Sequence, residues 1–488
     1  MQRVSDFRIR KCNDAAVNRH GRYVLYWMIA NRRTQWNFSL QRAVEWTLEL
    51  RKPLLVLEAL RCGYQWASDR LHTFVMEGMR DNAEDFSRTP ALYYPYLEPE
   101  QGAGKGLLKA LAQDACCVIT DDYPCFFLPR MAASAARQVP VLLEAVDSNV
   151  IVPMRWSEKS YLNAFGFRRF LQSNLEPHLY AFPERNPADA IETARMEELP
   201  PGITDRWPPA HRWLAQIGRR SLAEFPIDHT VGPSRVIGGS AAASERLGSF
   251  LDSSLNHYAE LRNHPDADCT SGLSPYLHFG HISVHQIFTE LMEREDWSVK
   301  KLSTNASGKR SGWWGVGENA DGFLEELITW REVGYNMCSR RSDYDQYESL
   351  PDWARKTLKD HESDPRSYRY DLEQLETAET HDELWNAAQT QLVQEGILHT
   401  YLRMLWGKKI LEWSPSPRIA LERMIELNNK YALDGRDPNS YSGIFWVLGR
   451  YDRPWGPERP ILGKVRYMSS DSARRKLKLT RYLQKYAP

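Results

Sequence analysis

The stretch ELWNAAQTQLVQEGILHTYLRMLWGKKILEW (383–413), followed after an SPSP turn by ALERMIELNNKYALDGRDPNSYSGIFW (420–446), decides the interpretation of the C-terminal half of the chain. Both segments are rich in strong helix formers. Trp406 and Trp413 are seven residues apart, so two helical turns place them on one face, about 10 Å apart along the axis. Aromatic side chains beside Arg, Asn and Asp favour a pocket for a flat ligand with polar edges, although tryptophans on one helix face are also typical of a plain core.

This stretch resembles the flavin-binding half of the photolyase/cryptochrome family, and within it the class II cyclobutane pyrimidine dimer photolyases. The matching strings are THDELWNAAQ (380–389), EGILHTYLRMLWGKKILEW (395–413), LDGRDPNSY (433–441) and GKVRYM (463–468). Strings of this length are far more specific than a short motif. The resemblance covers nearly the whole chain, most strongly from about residue 230 onward, and it implies an all-α C-terminal domain that binds FAD.

Composition bounds the class of protein. At 488 residues the chain is too long for one core, so two or three domains are expected. The formal net charge is zero, so any contact with nucleic acid must come from a local basic patch.

Seven scattered Cys without a CxxC pair indicate reduced thiols and no metal site. No signal-like N-terminus and no long apolar stretch is present, so we expect a cytoplasmic monomer without a membrane span.

In the N-terminal half, short apolar runs alternate with helical patterns. Buried strands are predicted at 23–28, 53–60, 116–120 and 139–143. This alternation predicts an α/β domain with a doubly wound parallel sheet, residues 1–150. The string GAGKGLL (102–108) lacks the Walker spacing and follows no clear strand, so we expect it not to bind phosphate.

The resemblance continues through GRYVLYWMIANRRTQWN (21–37) and RLHTFVMEGMRDN (70–82), which are similar to antenna-domain segments of the family. It implies that this domain can hold a second, light-harvesting chromophore, a deazaflavin or a folate. The proline-rich residues 151–210 predict an inter-domain connector. Residues 211–488 are then the helical domain that binds FAD and the DNA lesion.

The string CTSGLSPYLHFGHIS (269–283) places hydroxyl side chains ahead of a helix near Pro275. Hydroxyls and backbone N–H groups there suit a pyrophosphate, but an ordinary helix cap gives the same pattern. The string resembles the loop that wraps the FAD diphosphate. The resemblance implies the following contacts on the diphosphate side: Tyr258, Thr270, Ser271, Leu273 and Ser274.

The resemblance also assigns residues to the flavin ring. Arg403 and Asp434 would form an ion pair facing the isoalloxazine, and Asn428 would lie near the flavin N5. The family typically has an acid after that Asn, whereas this chain has Asn429, a departure that affects the local hydrogen bonding.

The segment FLEELITWREVGYNMC (323–338) predicts an amphipathic helix on which Glu332 shares a face with Glu325 and Ile328. A lone helix glutamate is usually exposed or salt-bridged. By the resemblance, Glu332 would hydrogen-bond the thymine carbonyls and stabilise the radical anion of the dimer, while Trp330 stands where many class II members carry Arg. The resemblance places three further residues in the lesion cavity: Tyr401, Met404 and Trp446.

Basic residues alternate with tyrosines from Lys464 to Lys485, a pattern that suits either a phosphate-tracking surface or a solvated helix face. By the resemblance, the DNA-facing loop matches 451–455, one residue short before Trp455, and Arg453, Trp455 and Arg466 would contact DNA. The polar, Gly-rich residues 298–321 predict a flexible surface loop.

The function implied is light-dependent repair of cyclobutane pyrimidine dimers in DNA, in which reduced FAD donates an electron to the flipped-out dimer. Trp385, Trp406 and Trp413 would form the electron-transfer chain that reduces oxidised flavin. A cryptochrome-like photoreceptor is the alternative, and the lesion-cavity residues argue against it. A (6-4) photolyase would need a histidine pair at the lesion, and a DNA-binding flavoprotein without photochemistry would carry an unresponsive flavin.

Overall fold

The computed structural model describes residues 1–218 and 220–487. The chain forms two compact units. Unit 1 comprises Met1–Trp156, Glu176–Leu247 and Leu273–Glu290, and unit 2 comprises Ser157–Leu175, Gly248–Gly272 and Leu291–Pro488. The predicted connector is therefore divided between the two units, and the domain boundaries at 150 and 210 stay a prediction.

Within the described residues of unit 1, the strands form a six-stranded sheet in the order β1-β6-β5-β2-β3-β4. They are β1 (Ile9–Lys11), β2 (Tyr23–Met28), β3 (Leu54–Leu60), β4 (Leu92–Leu97), β5 (Ala115–Asp121) and β6 (Leu143–Val146). Every neighbouring pair is parallel except β1 and β6. The central strand β2 is buried along its whole length because a parallel strand inside a sheet is covered on both faces.

Helices occupy much of the rest of the chain. Those that begin before residue 280 are α1 (Phe38–Leu50), α2 (Asp69–Ser87), α3 (Leu107–Gln113), α4 (Leu128–Ala136), α5 (Ala164–Asn174), α6 (Ile203–Arg206), α7 (His211–Leu214), α8 (Ser240–Asp252), α9 (Tyr258–Leu261) and α10 (Ser274–Phe279). Those that follow are α11 (Val284–Arg294), α12 (Glu318–Leu324), α13 (Arg331–Arg340), α14 (Asp352–Asp360), α15 (Leu372–Glu376), α16 (Glu383–Glu395), α17 (Thr400–Trp413), α18 (Pro417–Tyr431), α19 (Pro438–Val447), α20 (Ser470–Lys476) and α21 (Thr480–Tyr486).

Alternate residues of β2 contact helices on opposite faces of the sheet. Val24, Tyr26 and Met28 join a buried apolar cluster with α1. Tyr23 points to the other face, where its hydroxyl donates to the Leu111 carbonyl of α3 at 2.6 Å. The predicted doubly wound α/β fold with a helical C-terminal region is therefore confirmed.

The sheet differs from the sequence prediction in detail. The strand expected at 139–143 begins only at Leu143, and the sequence did not predict β1 or β4. Pro95 interrupts the pattern of β4, but it is tolerated because β4 is an edge strand. That edge is covered, since the Ala210 N–H donates to the Pro95 carbonyl at 2.8 Å.

The string GAGKGLL does follow a strand, β4, contrary to the prediction. The carboxylate of Glu98, the first residue after that strand, accepts the N–H groups of Gly102 and Gly104 at 3.1 Å each. The amides that a phosphate would need are thus occupied by the protein's own anion.

A second carboxylate accepts backbone N–H groups at the carboxyl ends of β2 and β5, where the strand order reverses. Doubly wound sheets commonly bind ligands there. In this protein the Asp121 carboxylate accepts the N–H groups of Ile29, Ala30 and Asn31 at 2.8, 2.7 and 3.0 Å, and the Tyr26 hydroxyl at 2.8 Å. Three successive N–H groups form an anion site, and Asp121 fills it.

We therefore expect Asp121→Ala to weaken the centre of the sheet. Its carboxylate is buried, and removal would leave several buried donors without an acceptor, at a cost of about 3 kcal/mol or more. Hydrogen exchange read by mass spectrometry should show faster exchange at residues 29–31, together with a lower thermal midpoint. The neighbouring Asp122→Asn is the control, because Asp122 pairs with the partly exposed Arg10. Unchanged protection at 29–31 in Asp121→Ala would contradict this account.

Candidate cofactor and substrate site

Most of the residues singled out in the sequence lie on helices of unit 2 that meet at α19. A Cβ atom on Gly407 of α17 would lie 2.7 Å from Val447 Cγ2, and one on Gly334 of α13 would lie 2.5 Å from the Pro438 carbonyl oxygen. Both distances are too short for a side chain: Gly334 lets α13 meet the backbone of α19, and Gly407 lets the Val447 side chain of α19 pack directly against α17. This packing brings the residues of α13, α17 and α19 into one region.

Arg403 and Asp434 form the predicted ion pair. One guanidinium nitrogen of Arg403 donates to both carboxylate oxygens of Asp434, at 2.8 and 3.1 Å. The two side chains are 17% and 16% exposed, so the pair is only partly screened by water and keeps an accessible side. Such a pair can present a cation and an anion together to the polar edge of a ring.

Asn428 is buried on α18 and donates to the Ser440 hydroxyl at 2.8 Å. The structure accounts for the departure at Asn429. Its side-chain oxygen accepts the Arg436 N–H at 2.8 Å, and its side-chain nitrogen donates to the Tyr441 hydroxyl at 3.2 Å. Asn429 therefore joins the 434–436 turn to α19 through both ends of its carboxamide.

His399, directly before α17, was not predicted from the sequence, and the backbone of Arg262 lies beside its ring. Both of its ring nitrogens are buried, and neither makes a hydrogen bond of acceptable geometry. Burial lowers the pKa of His399 to about 4, so its ring is neutral at pH 7. Buried polar atoms without partners cost about 1–3 kcal/mol, which a ligand with polar groups would offset. The one sequence feature that could have pointed to His399 is its position four residues, about one helical turn, before Arg403.

Tyr258 lies on α9 with its ring edge-to-face against Phe250 and Phe323, at 5.6 Å each. Burial, together with the nearby Glu326 carboxylate, raises the pKa of Tyr258, so its hydroxyl stays protonated. Thr270 and Ser271 are half-buried in the loop that follows. These three residues belong to unit 2.

Leu273 and Ser274, predicted for the same loop, belong to unit 1. Leu273 is buried, and α10 begins at Ser274 with Pro275 in its first turn and no side-chain cap hydrogen bond. The ordinary helix-cap interpretation required such a bond, so the structure does not support it here.

Glu332 is 3% exposed on α13. The predicted helix over 323–338 is continuous, but it is not α-helical throughout, because Glu325–Trp330 forms a π-helical turn between α12 and α13. A π turn uses more residues than an α turn and shifts the helical period, and Glu325, Ile328 and Glu332 are all buried. Glu325 pairs with the buried Arg168, whose Nε lies 2.9 Å from a carboxylate oxygen. Trp330, the departure from the family, is half-buried at the end of this turn.

The three predicted electron-transfer tryptophans are all buried and meet at Trp385. The Trp385 indole N–H donates to the Trp406 carbonyl at 3.0 Å, and the Trp385 ring lies 5.4 Å from the Trp413 ring. The Trp413 ring also contacts the half-buried Tyr370 at 5.2 Å. Trp385 thus contacts the backbone of Trp406 and the ring of Trp413 inside unit 2.

The predicted lesion-cavity residues share one stripe of α17 and the facing side of α19. Tyr401 and Met404 are half-buried one turn apart. Met404 Cε lies 3.9 Å from the Cβ position of Gly443, and Trp446 follows Gly443 by three residues on the same face. The structure therefore places Met404 against the helix that carries Trp446, with Tyr401 one turn away on α17.

The predicted DNA-contacting residues continue from this stripe. The Arg466 guanidinium lies 5.6 Å from the Trp446 ring and 5.2 Å from the Trp455 ring, and Arg453 lies 5.0 Å from Trp455. The Trp455 indole N–H donates to Asp452 at 2.9 Å, which orients the ring. Arg453, Trp455 and Arg466 are exposed, as contact with a nucleic acid requires.

Lys408, on the same face of α17, was not predicted. It is 1% exposed, and its ammonium donates to the Val447 carbonyl and lies 5.7 Å from the Trp446 ring. Burial lowers the pKa of Lys408 to about 7; Asp452 opposes this shift and Arg466 adds to it. A buried lysine whose pKa lies well below its ordinary value is therefore part of this region.

One surface prediction needs correction, and a second was left open between two interpretations. Residues 298–321 are anchored: Trp313 and Trp314 are buried, and the Gly312 N–H donates to Asp321 at 2.9 Å. The basic C-terminal segment is partly neutralised, because Arg474 pairs with Glu383 at 3.1 Å and Lys485 with Glu395 at 2.8 Å. The solvated-face interpretation therefore holds for these two residues.

In the described residues, no group of three His, Cys, Asp or Glu side chains is arranged to hold a metal ion. All seven cysteines are free thiols. Every helix of residues 1–218 and 220–487 is too short or too polar to cross a bilayer.

No protein-family model matches the chain. It is 34% identical to a deoxyribodipyrimidine photo-lyase of Methanothermobacter thermautotrophicus over 98% of this chain and 97% of that protein. It is 32% identical to the deoxyribodipyrimidine photo-lyase of Potorous tridactylus and 33% identical to that of Arabidopsis thaliana, covering 86% and 88% of those proteins and 99% and 94% of this chain. A class III photolyase of Agrobacterium tumefaciens has a similar fold, with a TM-score of 0.65 at 16% identity over 96% of this chain and 86% of that one.

The position of Lys408 makes stability depend on pH. Its folded pKa of about 7 lies below its ordinary value of 10.5, so between these values the unfolded chain binds a proton that the folded chain does not. Stability should therefore increase as pH rises from 7 to about 10.5. In urea titrations at pH 6.5, 8 and 9.5, the stability of Lys408→Met minus that of the unmodified protein should decrease with pH. Lys409→Met is the control, because Lys409 pairs with Glu412 at 3.0 Å. A pH-independent difference would show that Lys408 does not titrate in this window.

Proposed function

The chain belongs to the deoxyribodipyrimidine photo-lyase family, and we propose that it repairs cyclobutane pyrimidine dimers in DNA by light-driven electron transfer from bound FAD. Membership makes it an enzyme of DNA photorepair, a flavoprotein and a lyase. The dimer type and the electron route are the proposal. That it acts as a monomer in the cytoplasm stays a prediction.

The observation that carries this proposal is the arrangement of α17. Arg403 of that helix is paired with Asp434, and Met404, on the adjacent stripe with Tyr401, lies against Gly443 of α19, the helix that carries Trp446. One helix thereby combines a charged pair suited to a flavin with an aromatic wall suited to a base. FAD, when bound and fully reduced, supplies the electron that opens the cyclobutane ring.

The residues present fit FAD. The Arg403–Asp434 pair keeps an accessible side, and the two orphaned ring nitrogens of His399 lie four residues away on the same chain segment. Asn428 is held by Ser440. We propose that these residues hold the flavin and that Tyr258, Thr270, Ser271, Leu273 and Ser274 hold the diphosphate.

Glu332 is the group that we propose beside the carbonyl oxygens of the dimer. Its helix α13 approaches α19 at backbone distance through Gly334, so Glu332 is on the element packed against the Trp446 helix. A carboxyl group fixed on two packed helices moves little, and a donor held in place there would stabilise the negative charge that the added electron brings.

The dimer must leave the helix stack to reach this cavity. Extruding a damaged, poorly paired dinucleotide costs less than flipping an intact one, which favours the lesion. Trp446 would stack on the extruded bases, and Arg453, Trp455 and Arg466 would contact the strand around it. Because the net charge is zero, these local arginines would supply the salt-sensitive part of the affinity.

Unit 1 offers a place for the proposed antenna chromophore, a deazaflavin or a folate. Tyr64 stacks on Phe127 at 5.6 Å, and Trp66 stacks on Phe126 at 5.9 Å, just after the carboxyl ends of β3 and β5. The Trp66 indole N–H is buried without a hydrogen-bond partner. Ligands of doubly wound sheets bind at these ends, and a flat ring with an acceptor would match this group.

No observation favours the photoreceptor alternative. An oligonucleotide that carries one thymine dimer should be repaired in blue light and not in the dark. Glu332→Gln, which keeps the size of the side chain, should lower the quantum yield several-fold while leaving the flavin bound. Glu318→Gln, an exposed carboxylate on the preceding helix, is the control and should repair normally. A flavin-loaded, reducible preparation that repairs nothing in light would refute the proposal.

The buried tryptophans should matter for photoreduction and not for repair. Trp385→Phe removes the indole that contacts both Trp406 and Trp413, so the blue-light reduction of oxidised flavin should slow by at least about tenfold. Enzyme reduced chemically beforehand should still repair dimers. Trp297→Phe is the control, because its indole N–H donates to the Trp314 carbonyl at 2.6 Å, in a different aromatic cluster. Normal photoreduction in Trp385→Phe would rule out this path.

A further inference from the structure

The buried ammonium of Lys408 closes the C-terminal end of α19. Val447 is the last residue of that helix, and its carbonyl accepts the Lys408 ammonium. Carbonyl groups at a helix C-terminus lack partners within the helix and carry partial negative charge, so a cation there is favourable. Lys408 therefore ties the end of α19 to α17 by a charged hydrogen bond.

The same ammonium acts on Trp446, the residue next to Val447. It lies 5.7 Å from the ring centroid, and the exposed Arg466 lies 5.6 Å from the same ring. Both distances are within the range of cation–π attraction, which is stronger for the desolvated cation. Trp446 is thus held by a cation from the protein interior and by another from the surface.

Lys408 also lies on the stripe that faces the proposed substrate. Tyr401, Met404 and Lys408 follow the spacing i, i+3, i+7 on α17, which places them on one face. Gly407, the preceding residue, lets Val447 approach to a distance that no side chain would permit. The lysine therefore forms the buried end of the cavity wall and cannot itself reach DNA.

From this geometry we infer that Lys408 is a positioning residue that fixes the Trp446 ring for stacking on the extruded lesion. The inference rests on the proposed function. Its consequence is specific: removing the ammonium should weaken recognition of the lesion and leave both the chemistry and general DNA contact intact.

The test is the variant Lys408→Met, which keeps the length of the side chain and removes the charge. The dissociation constant for a thymine-dimer oligonucleotide should rise about tenfold, and that for undamaged DNA should change less than about twofold. Repair at saturating substrate should also stay within about twofold. Lys409→Met, one residue along the helix, should change none of these values.

A double-mutant cycle separates positioning from a general structural role. In a Trp446→Ala background, Lys408→Met should have no further effect on lesion affinity, because the ring it holds is absent. Additive losses would overturn the inference. So would unchanged lesion affinity in a flavin-loaded Lys408→Met protein, or equal losses for damaged and undamaged DNA.

Two further points keep the test decisive. If Lys408→Met fails to bind flavin, Lys408→Gln retains a donor for the Val447 carbonyl without the charge, and an intermediate loss of lesion affinity is expected; no loss would overturn the inference. Failure of the proposed function is distinguishable, because the unmodified protein would then show neither repair nor preference for the dimer. Failure of the inference alone would leave both intact.

Discussion

The close approach of α19 to both α13 and α17 is the constraint on which the rest of unit 2 depends. Gly334 and Gly407 permit it, since a Cβ atom at either position would overlap α19. Because of it, a buried carboxylate, a charged pair and a half-buried indole come from three helices to one region. A single methyl group at either glycine would force these helices apart, and the site residues would separate without any of them having changed.

Several buried charges in this protein are matched to backbone groups and not only to other charges. Asp121 fills the amide site after β2, Glu98 fills the loop after β4, and Lys408 ends α19. Each of these three side chains occupies backbone polar groups that would otherwise be available to bind a ligand. The Arg403–Asp434 pair and the ring of His399 are different, because they keep an accessible side or lack partners. Polar groups with hydrogen-bond partners inside the protein belong to the scaffold, and those that stay accessible or lack partners mark the candidate site. Burial alone distinguishes the two less clearly.

Electrostatics in a chain of zero net charge must be local. Arg474 and Lys485 are paired with carboxylates, whereas Arg453 and Arg466 lie on indole rings and are exposed. An arginine stacked on a ring keeps its donors directed outward, which suits contact with phosphate. Basic residues that stack on aromatic rings are therefore available to a nucleic acid, whereas those paired with carboxylates are less so.

The sequence by itself determined the class of the fold, the central strands and the family, because buried parallel strands and long matching strings leave a local signal. It also identified Arg403 with Asp434 and the three tryptophans, and the structure brings each of these sets together. It did not reveal β4, whose proline is acceptable only at a covered edge, or the π turn before Glu332, which shifts the helical period. The sequence did not predict that Lys408 and His399 are buried, since a lysine and a histidine near a helix are ordinarily exposed. Only tertiary packing decides whether such a side chain is buried away from water. It also decides whether a carbonyl group, an aromatic ring or no polar group then lies beside its nitrogen atoms.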